Sequence, residues 1–189
     1  AAAGNYMKKG LPYTGSLKVL KVILGYDYLW NQVRVKGGAY GCMNSFSRVG
    51  DAYFVSYRDP NLEKTLETYR GAVNYLKKFH ADERDMTKYI IGTISDMDIP
   101  LTPSAKGMRG LSAYLSNDTV ELLQKERDEV LGTTSEEIAE LSKYVEEILS
   151  QNQICVLGSE EKIEAQKALF DTVENLFRND GKEAGDEKQ

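Results

Sequence analysis

Arg34 and Tyr40 lie six positions apart, with the pair Gly37-Gly38 between them, inside the stretch LWNQVRVKGGAYGCMNSFSRVGDAYFVSY at residues 29–57. Arginine offers an always-charged fork of N–H donors, and tyrosine a phenol that donates one hydrogen bond. A glycine pair lets another backbone come close. Such a set can hold a peptide carbonyl. It cannot cleave an amide, because that needs an activated nucleophile or a metal-bound water. The chain has one histidine, His80, and two cysteines, Cys42 and Cys155, far apart. The pattern points to a gripping surface whose chemistry is completed elsewhere.

The elements around this stretch must position it. Gly15-Ser16 opens a helical pattern with Leu17, Leu20, Val22, Ile23 and Leu24 as apolar positions. Gly25 is expected to interrupt it, and Asp27 to cap a second segment running through Trp30 and Val33. Gly37 and Gly38 stop that segment. Residues 39–47 and 52–58 read as strands, with Tyr53, Val55 and Tyr57 on one face of the second. Gly50-Asp51 between them predicts an antiparallel hairpin. Asp59-Pro60 reads as a helix start, followed by Leu62, Leu66, Tyr69, Val73 and Leu76 as one stripe.

Further along, residues 85–97 carry a helical pattern that Pro100 ends. Thr102-Pro103 repeats the cap-plus-proline signal, with Met108, Leu111 and Leu115 on one face. Asn117-Asp118 opens a helix with Val120, Leu123 and Val130 inward. Thr134 and Glu137 fit a capping box, ahead of Ile138, Leu141, Val145 and Ile148. Residues 153–157 read as a buried strand, and a last helix follows near 160–167, with one more short element near 170–177. The opening AAAGNY reads as the remnant of a truncated strand, as in a piece cut from a longer protein. The expected fold is α+β: a mainly antiparallel sheet with helices packed on one face. Residues 1–178 form one domain, and residues 179–189 a polar, disordered tail.

Composition narrows the function classes. Of 189 residues, 41% are hydrophobic and 28% charged, in the range of a globular domain. The formal net charge of -5 gives no basic stripe for a nucleic acid. No apolar run is long enough to span a bilayer, so neither nucleic acid nor membrane is an expected partner. His80 alone makes no zinc site, which needs at least three converging ligands, and it reads as a surface residue at a helix end. Cys42 and Cys155 read as buried apolar thiols. GGAYG lacks the Gly-Lys-Ser/Thr ending of a phosphate loop. Glu136, Glu137, Glu140, Glu146 and Glu147 read as a solvated helix face. Taken singly, Arg34 is a surface ion-pair residue and Tyr40 a sheet-face packing residue. Spacing and composition stop at an α+β domain.

Four blocks go further: LWNQVRVKGGAYG, DAYFVSYRDPNLEKTLETY, IIGTISDMDIPLTPSAKG and CVLGSEEKI. In this order they resemble the C-terminal half of the presequence-protease branch of the pitrilysin/insulinase zinc metallopeptidases, over nearly the whole chain to about Phe177. The resemblance implies two homologous halves closing around a chamber. The inverted His-x-x-Glu-His zinc motif belongs to the N-terminal half and is not found in this chain. It implies that Arg34 and Tyr40 reach the substrate from the C-terminal half, Arg34 positioning the peptide and Tyr40 stabilising the oxyanion. Zinc, the N-terminal half and an unfolded peptide are then the implied cofactor and partners, with no metal ligand on this chain and no activity in isolation. Implied locations are the cytoplasm of a bacterium or an organellar matrix. The same residues also fit a non-catalytic partner subunit of a two-chain peptidase.

Overall fold

A computed structural model describes residues 1–175. It separates into two compact units, Ala1–Cys155 and the part from Val156 onward. The expected tail at 179–189 lies outside the described residues, as does the end of the element expected near 170–177.

In the first unit the order is β1 (Ala2–Asn5), α1 (Ser16–Ile23), a π-helical segment (Leu24–Val35), β2 (Gly41–Phe46), β3 (Asp51–Tyr57), then α2 (Glu63–Lys77) and α3 (Glu83–Met97). After these come α4 (Pro103–Leu115), α5 (Val120–Leu131), α6 (Ser135–Glu140), α7 (Ser142–Ser150) and β4 (Gln153–Ile154). The sheet order is β2-β3-β1-β4, and every pairing is antiparallel. In β2–β3, Gly41 faces Tyr57 and Phe46 faces Ala52. The α+β expectation holds.

Alternation along the strands decides which sheet face is covered. Ala2, Asn44, Phe46, Ala52 and Phe54 are buried, whereas Met43, Tyr53 and Tyr57 are exposed. Beneath the buried face lies a core built from Leu17, Leu20, Ile23, Leu24 and Leu29 with Tyr69, Leu76, Ile138 and Ile148, all essentially inaccessible. The stripe on α2 points inward as expected, through Leu66, Tyr69 and Leu76.

Several local expectations need correction. Gly25 does not interrupt the helix, which continues from α1 as π-helix to Val35. The amide of Asn44 on β2 donates to the Lys21 carbonyl at 3.2 Å. It also lies 3.6 Å from where a Gly25 Cβ would stand. A side-chain donor entering the ladder accompanies the change of pitch. Asp27 does not cap, because its carboxylate accepts from the Tyr89 hydroxyl. Asp59-Pro60 does not start α2, which begins at Glu63. The Asp59 carboxylate accepts instead from the Asn61 N–H at 2.9 Å and the Thr65 hydroxyl at 2.7 Å.

The cap of α5 is Thr119 rather than Asn117 or Asp118, and Val120 points outward. Met108, Leu111 and Leu115 on α4 are all exposed. Thr134 caps α6, but the Glu137 side chain accepts from the Ser16 hydroxyl instead of closing the box. The strand expected at 153–157 shrinks to Gln153–Ile154, and Cys155 is exposed rather than buried, while Cys42 is half-buried. In the second unit, α8 covers Glu160–Glu164, shorter than expected, and a 3-10 turn covers Lys167–Leu169.

Candidate functional site

Arg34 is the penultimate residue of the π-helical segment, and Tyr40 immediately precedes β2. The corner between them demands glycine at two positions. A Cβ on Gly37 would sit 2.4 Å from the Val33 carbonyl oxygen. Gly38 has φ +79°, the left-handed conformation that ends helices. The Gly38 N–H donates to the Arg34 carbonyl at 2.9 Å, and the Ala39 N–H to the Val33 carbonyl at 3.2 Å. Each bond spans one residue more than in the glycine stop of an α-helix, as a π-helix requires. Long π-helical stretches are rare and cluster at functional sites.

Both side chains are exposed, and Tyr40 keeps 66% of its accessibility. The Arg34 guanidinium lies 4.1 Å from the centre of the Trp30 ring, and its Nε donates to the Tyr40 carbonyl at 3.2 Å. One ring face and one backbone oxygen thus fix the fork, and its terminal nitrogens have no partner among the described residues. Stacking of this kind contributes about 0.5–1 kcal/mol at an exposed site. The Tyr40 ring meets the Tyr57 ring edge to face, with centroids 5.7 Å apart. The Arg58 guanidinium lies 5.6 Å from the Tyr40 centroid and 5.3 Å from that of Tyr57. The Tyr40 hydroxyl has no hydrogen-bond partner among the described residues. Since Tyr57 belongs to the exposed sheet face, Tyr40 stands at the end of an open wall that also carries Tyr53 and Met43.

Below the corner, the Cys42 thiol is pushed up in pKa by burial, with Asp59 adding to the shift and Arg34 opposing it. A half-buried thiol with a raised pKa is a poor nucleophile.

Sequence reasoning found Arg34, Tyr40 and the glycines between them. It missed Trp30, Tyr57 and Arg58 as parts of the same site. The four-residue spacing of Trp30 and Arg34 was available as a signal of stacking on one helix face. Nothing local marked Arg58, whose ring partners come from two different elements.

A second polar constellation surrounds Glu126 on α5, beside a cleft of about 750 Å³ lined by Tyr13, Lys18, Arg48, Asp98, Asp118 and Arg127 among others. Glu126 is 4% exposed. Its Oε2 accepts from the Tyr13 hydroxyl and from Arg48 Nε, each at 2.7 Å, and Lys18 Nζ lies 3.0 Å from Oε1. Arg48 also pairs with Asp118 at 2.7 Å. Burial alone would raise the Glu126 pKa, but the hydrogen bonds from Arg48, Tyr13 and Lys18 together hold it below the ordinary value. These charges neutralise one another and tie α1, α5 and the hairpin turn together.

Among the described residues, no three His, Cys, Asp or Glu side chains converge on a metal position, and His80 is exposed and alone. The described residues offer no set that would hold the zinc the resemblance implies, which the resemblance assigns to the N-terminal half. Among the described residues, no helix is long and apolar enough to cross a membrane.

Comparison with known proteins gives a family match and several relatives. The family model described as PreP C-terminal domain matches residues 1–160. Protein HypA of Clostridium perfringens is 50% identical over 178 residues, covering 94% of this chain and 18% of that protein. Presequence protease 1, chloroplastic/mitochondrial, of Arabidopsis thaliana is 37% identical over 164 residues, covering 86% of this chain and 15% of that protein. The mitochondrial presequence protease of Xenopus laevis is 32% identical over 157 residues, covering 80% and 15%. The chain therefore spans less than a fifth of the length of these relatives.

Proposed function

The chain belongs to the family of PreP C-terminal domains, and from that premise we propose that it is the substrate-gripping domain of a zinc-dependent oligopeptidase acting on unfolded peptides of the presequence type. The observation that carries this reading is the pair of unengaged donors at one rigid corner. The terminal nitrogens of Arg34 and the hydroxyl of Tyr40 both face solvent, while the rest of each side chain is held by Trp30, Tyr57 and backbone.

In this reading the Arg34 fork hydrogen-bonds a backbone carbonyl of the peptide and sets its register. The Tyr40 hydroxyl donates to the scissile carbonyl oxygen as negative charge gathers there. The half-open wall of Tyr53, Met43 and Tyr57 offers apolar surface to side chains flanking the bond. Zinc and the base belong to polypeptide outside this chain, and closure of that part over the corner completes the site. The isolated chain is then inactive, and its setting is the bacterial cytoplasm or an organellar matrix.

The test is Tyr40→Phe in the full-length protein, assayed with an unfolded peptide. Loss of one preorganised donor at an oxyanion lowers kcat by about 100- to 1000-fold while leaving KM nearly unchanged. Unchanged turnover would remove Tyr40 from the chemistry and the reading with it.

A further inference from the structure

Arg58 immediately follows β3 and leads into the Asp59-Pro60 turn. We infer that Arg58 is a positioning residue for Tyr40: its guanidinium, laid across Tyr40 and Tyr57, holds the phenol in its outward orientation. This rests on the reading of Tyr40 given above and extends it to a residue that touches no reacting atom.

Three features carry it. The guanidinium faces both rings, at 5.6 Å and 5.3 Å, and the rings meet each other at 5.7 Å and 83°. The three groups therefore form a closed set in which each restrains the other two. The guanidinium has no ion pair or hydrogen bond among the described residues. Its charge is not drawn toward a carboxylate, and the two ring faces are what it rests on.

The backbone is the third feature. Arg58 has φ +48°, in the left-handed region. The other non-glycine residues there among the described ones are Asn117 and Asn152, a type that tolerates it. A long side chain stays in that conformation only when its surroundings over-determine it. Here they do. The Tyr40 N–H lies between the Tyr57 carbonyl at 3.1 Å and the Arg58 carbonyl at 3.4 Å. On the other side, the Asn61 amide donates to the Gly37 carbonyl at 2.5 Å. The segment from Tyr57 to Asn61 is thus fastened to the Gly37–Tyr40 corner at both ends, and the twist at Arg58 turns its side chain back over the Tyr40 ring.

The consequence is kinetic. An exposed tyrosine otherwise samples several rotamers, and only one aims its hydroxyl at the substrate. The test is a double-mutant cycle in the full-length protein with an unfolded peptide substrate. Arg58→Ala is expected to lower kcat about three- to fivefold with KM and thermal midpoint nearly unchanged, the size of one exposed cation–π contact. Arg58→Lys, which keeps a cation over the rings, should restore kcat to within about twofold. In the Tyr40→Phe background Arg58→Ala should do nothing more, because it acts through the missing hydroxyl. Should Arg58→Ala fail to fold, Arg58→Gln, which keeps most of the side chain but removes the cation over the rings, serves as the second probe with the same expected pattern.

An equal loss in both backgrounds, or a loss confined to KM, overturns the inference by making Arg58 a direct substrate contact. A silent Arg58→Ala beside a damaging Tyr40→Phe overturns the inference and leaves the reading of Tyr40 standing. A silent Tyr40→Phe overturns both.

Discussion

Two clusters in this chain use the same side-chain types to opposite ends. Around Glu126, an arginine, a lysine and a tyrosine converge on one carboxylate that is 4% exposed. Each donor aimed at it is engaged, and the second arm of Arg48 is taken by Asp118. Around Tyr40, two arginines and two tyrosines gather in the open with no carboxylate among them. Cations there rest on rings, and the outermost donors of Arg34 and Tyr40 have no protein partner among the described residues. Low local dielectric makes an unpaired group costly inside, so the buried cluster must be complete. Water tolerates an unpaired donor outside, so the exposed cluster can hold its capacity for a ligand.

That contrast can be broken most directly at Tyr40. Tyr40→Phe should remove about 3–4 kcal/mol of transition-state stabilisation. The thermal midpoint should not move, because the ring and its contacts with Tyr57 and Arg58 remain. A large drop in midpoint, read by calorimetry, would show that the corner is built for stability after all.

Glu126→Gln should do the reverse. It keeps the shape of the side chain but leaves Arg48 and Lys18 facing a neutral amide. The expected cost is about 3 kcal/mol, seen as a fall of roughly 6–12 °C in the midpoint, with activity per folded molecule unchanged. Lost activity at full folding would tie the two clusters together.

Acid sharpens the same point. The folded protein holds the Glu126 carboxyl below its ordinary 4.5, so the unfolded chain binds that proton first. The contribution of Glu126 is complete above about pH 4.5 and disappears as pH falls through the lower native value. Denaturant midpoints measured from pH 6 downward should converge for wild type and Glu126→Gln at the acid end.

A smaller effect than at Tyr40 is expected at Arg34. Arg34→Lys keeps the charge but loses the planar fork and its stacking on Trp30. KM should rise about tenfold, the loss of one charge-assisted hydrogen bond, with little change in kcat. A change in kcat alone would move Arg34 from peptide binding into the chemical step.

Much of the fold was legible because it is specified locally. The hairpin follows from alternation plus Gly50, which takes φ +92° at the turn. Thr102 and Thr134 cap their helices because a side-chain oxygen meets an N–H three residues on. What was illegible depends on partners distant in sequence. Gly25 looks like a break until Asn44 is brought against the helix. Asp27 looks like a cap until the Tyr89 hydroxyl, from a separate helix, donates to its carboxylate. Cys155 looks like core because its neighbours are apolar, yet its position beside Ala1 leaves it at the surface.

The amino-acid order by itself determined the types and spacing at the corner: a fork donor, two glycines and a phenol, close enough along the chain that one short turn must join them. Tertiary structure alone decided that Tyr57 and Arg58 would flank Tyr40, and that Glu126 would be enclosed by residues from α1, the hairpin turn and the chain before α1. The reason is range. Caps and turns are settled by neighbours within a few residues, whereas a ring against a guanidinium or a buried charge against its donors exists only after separate elements have packed.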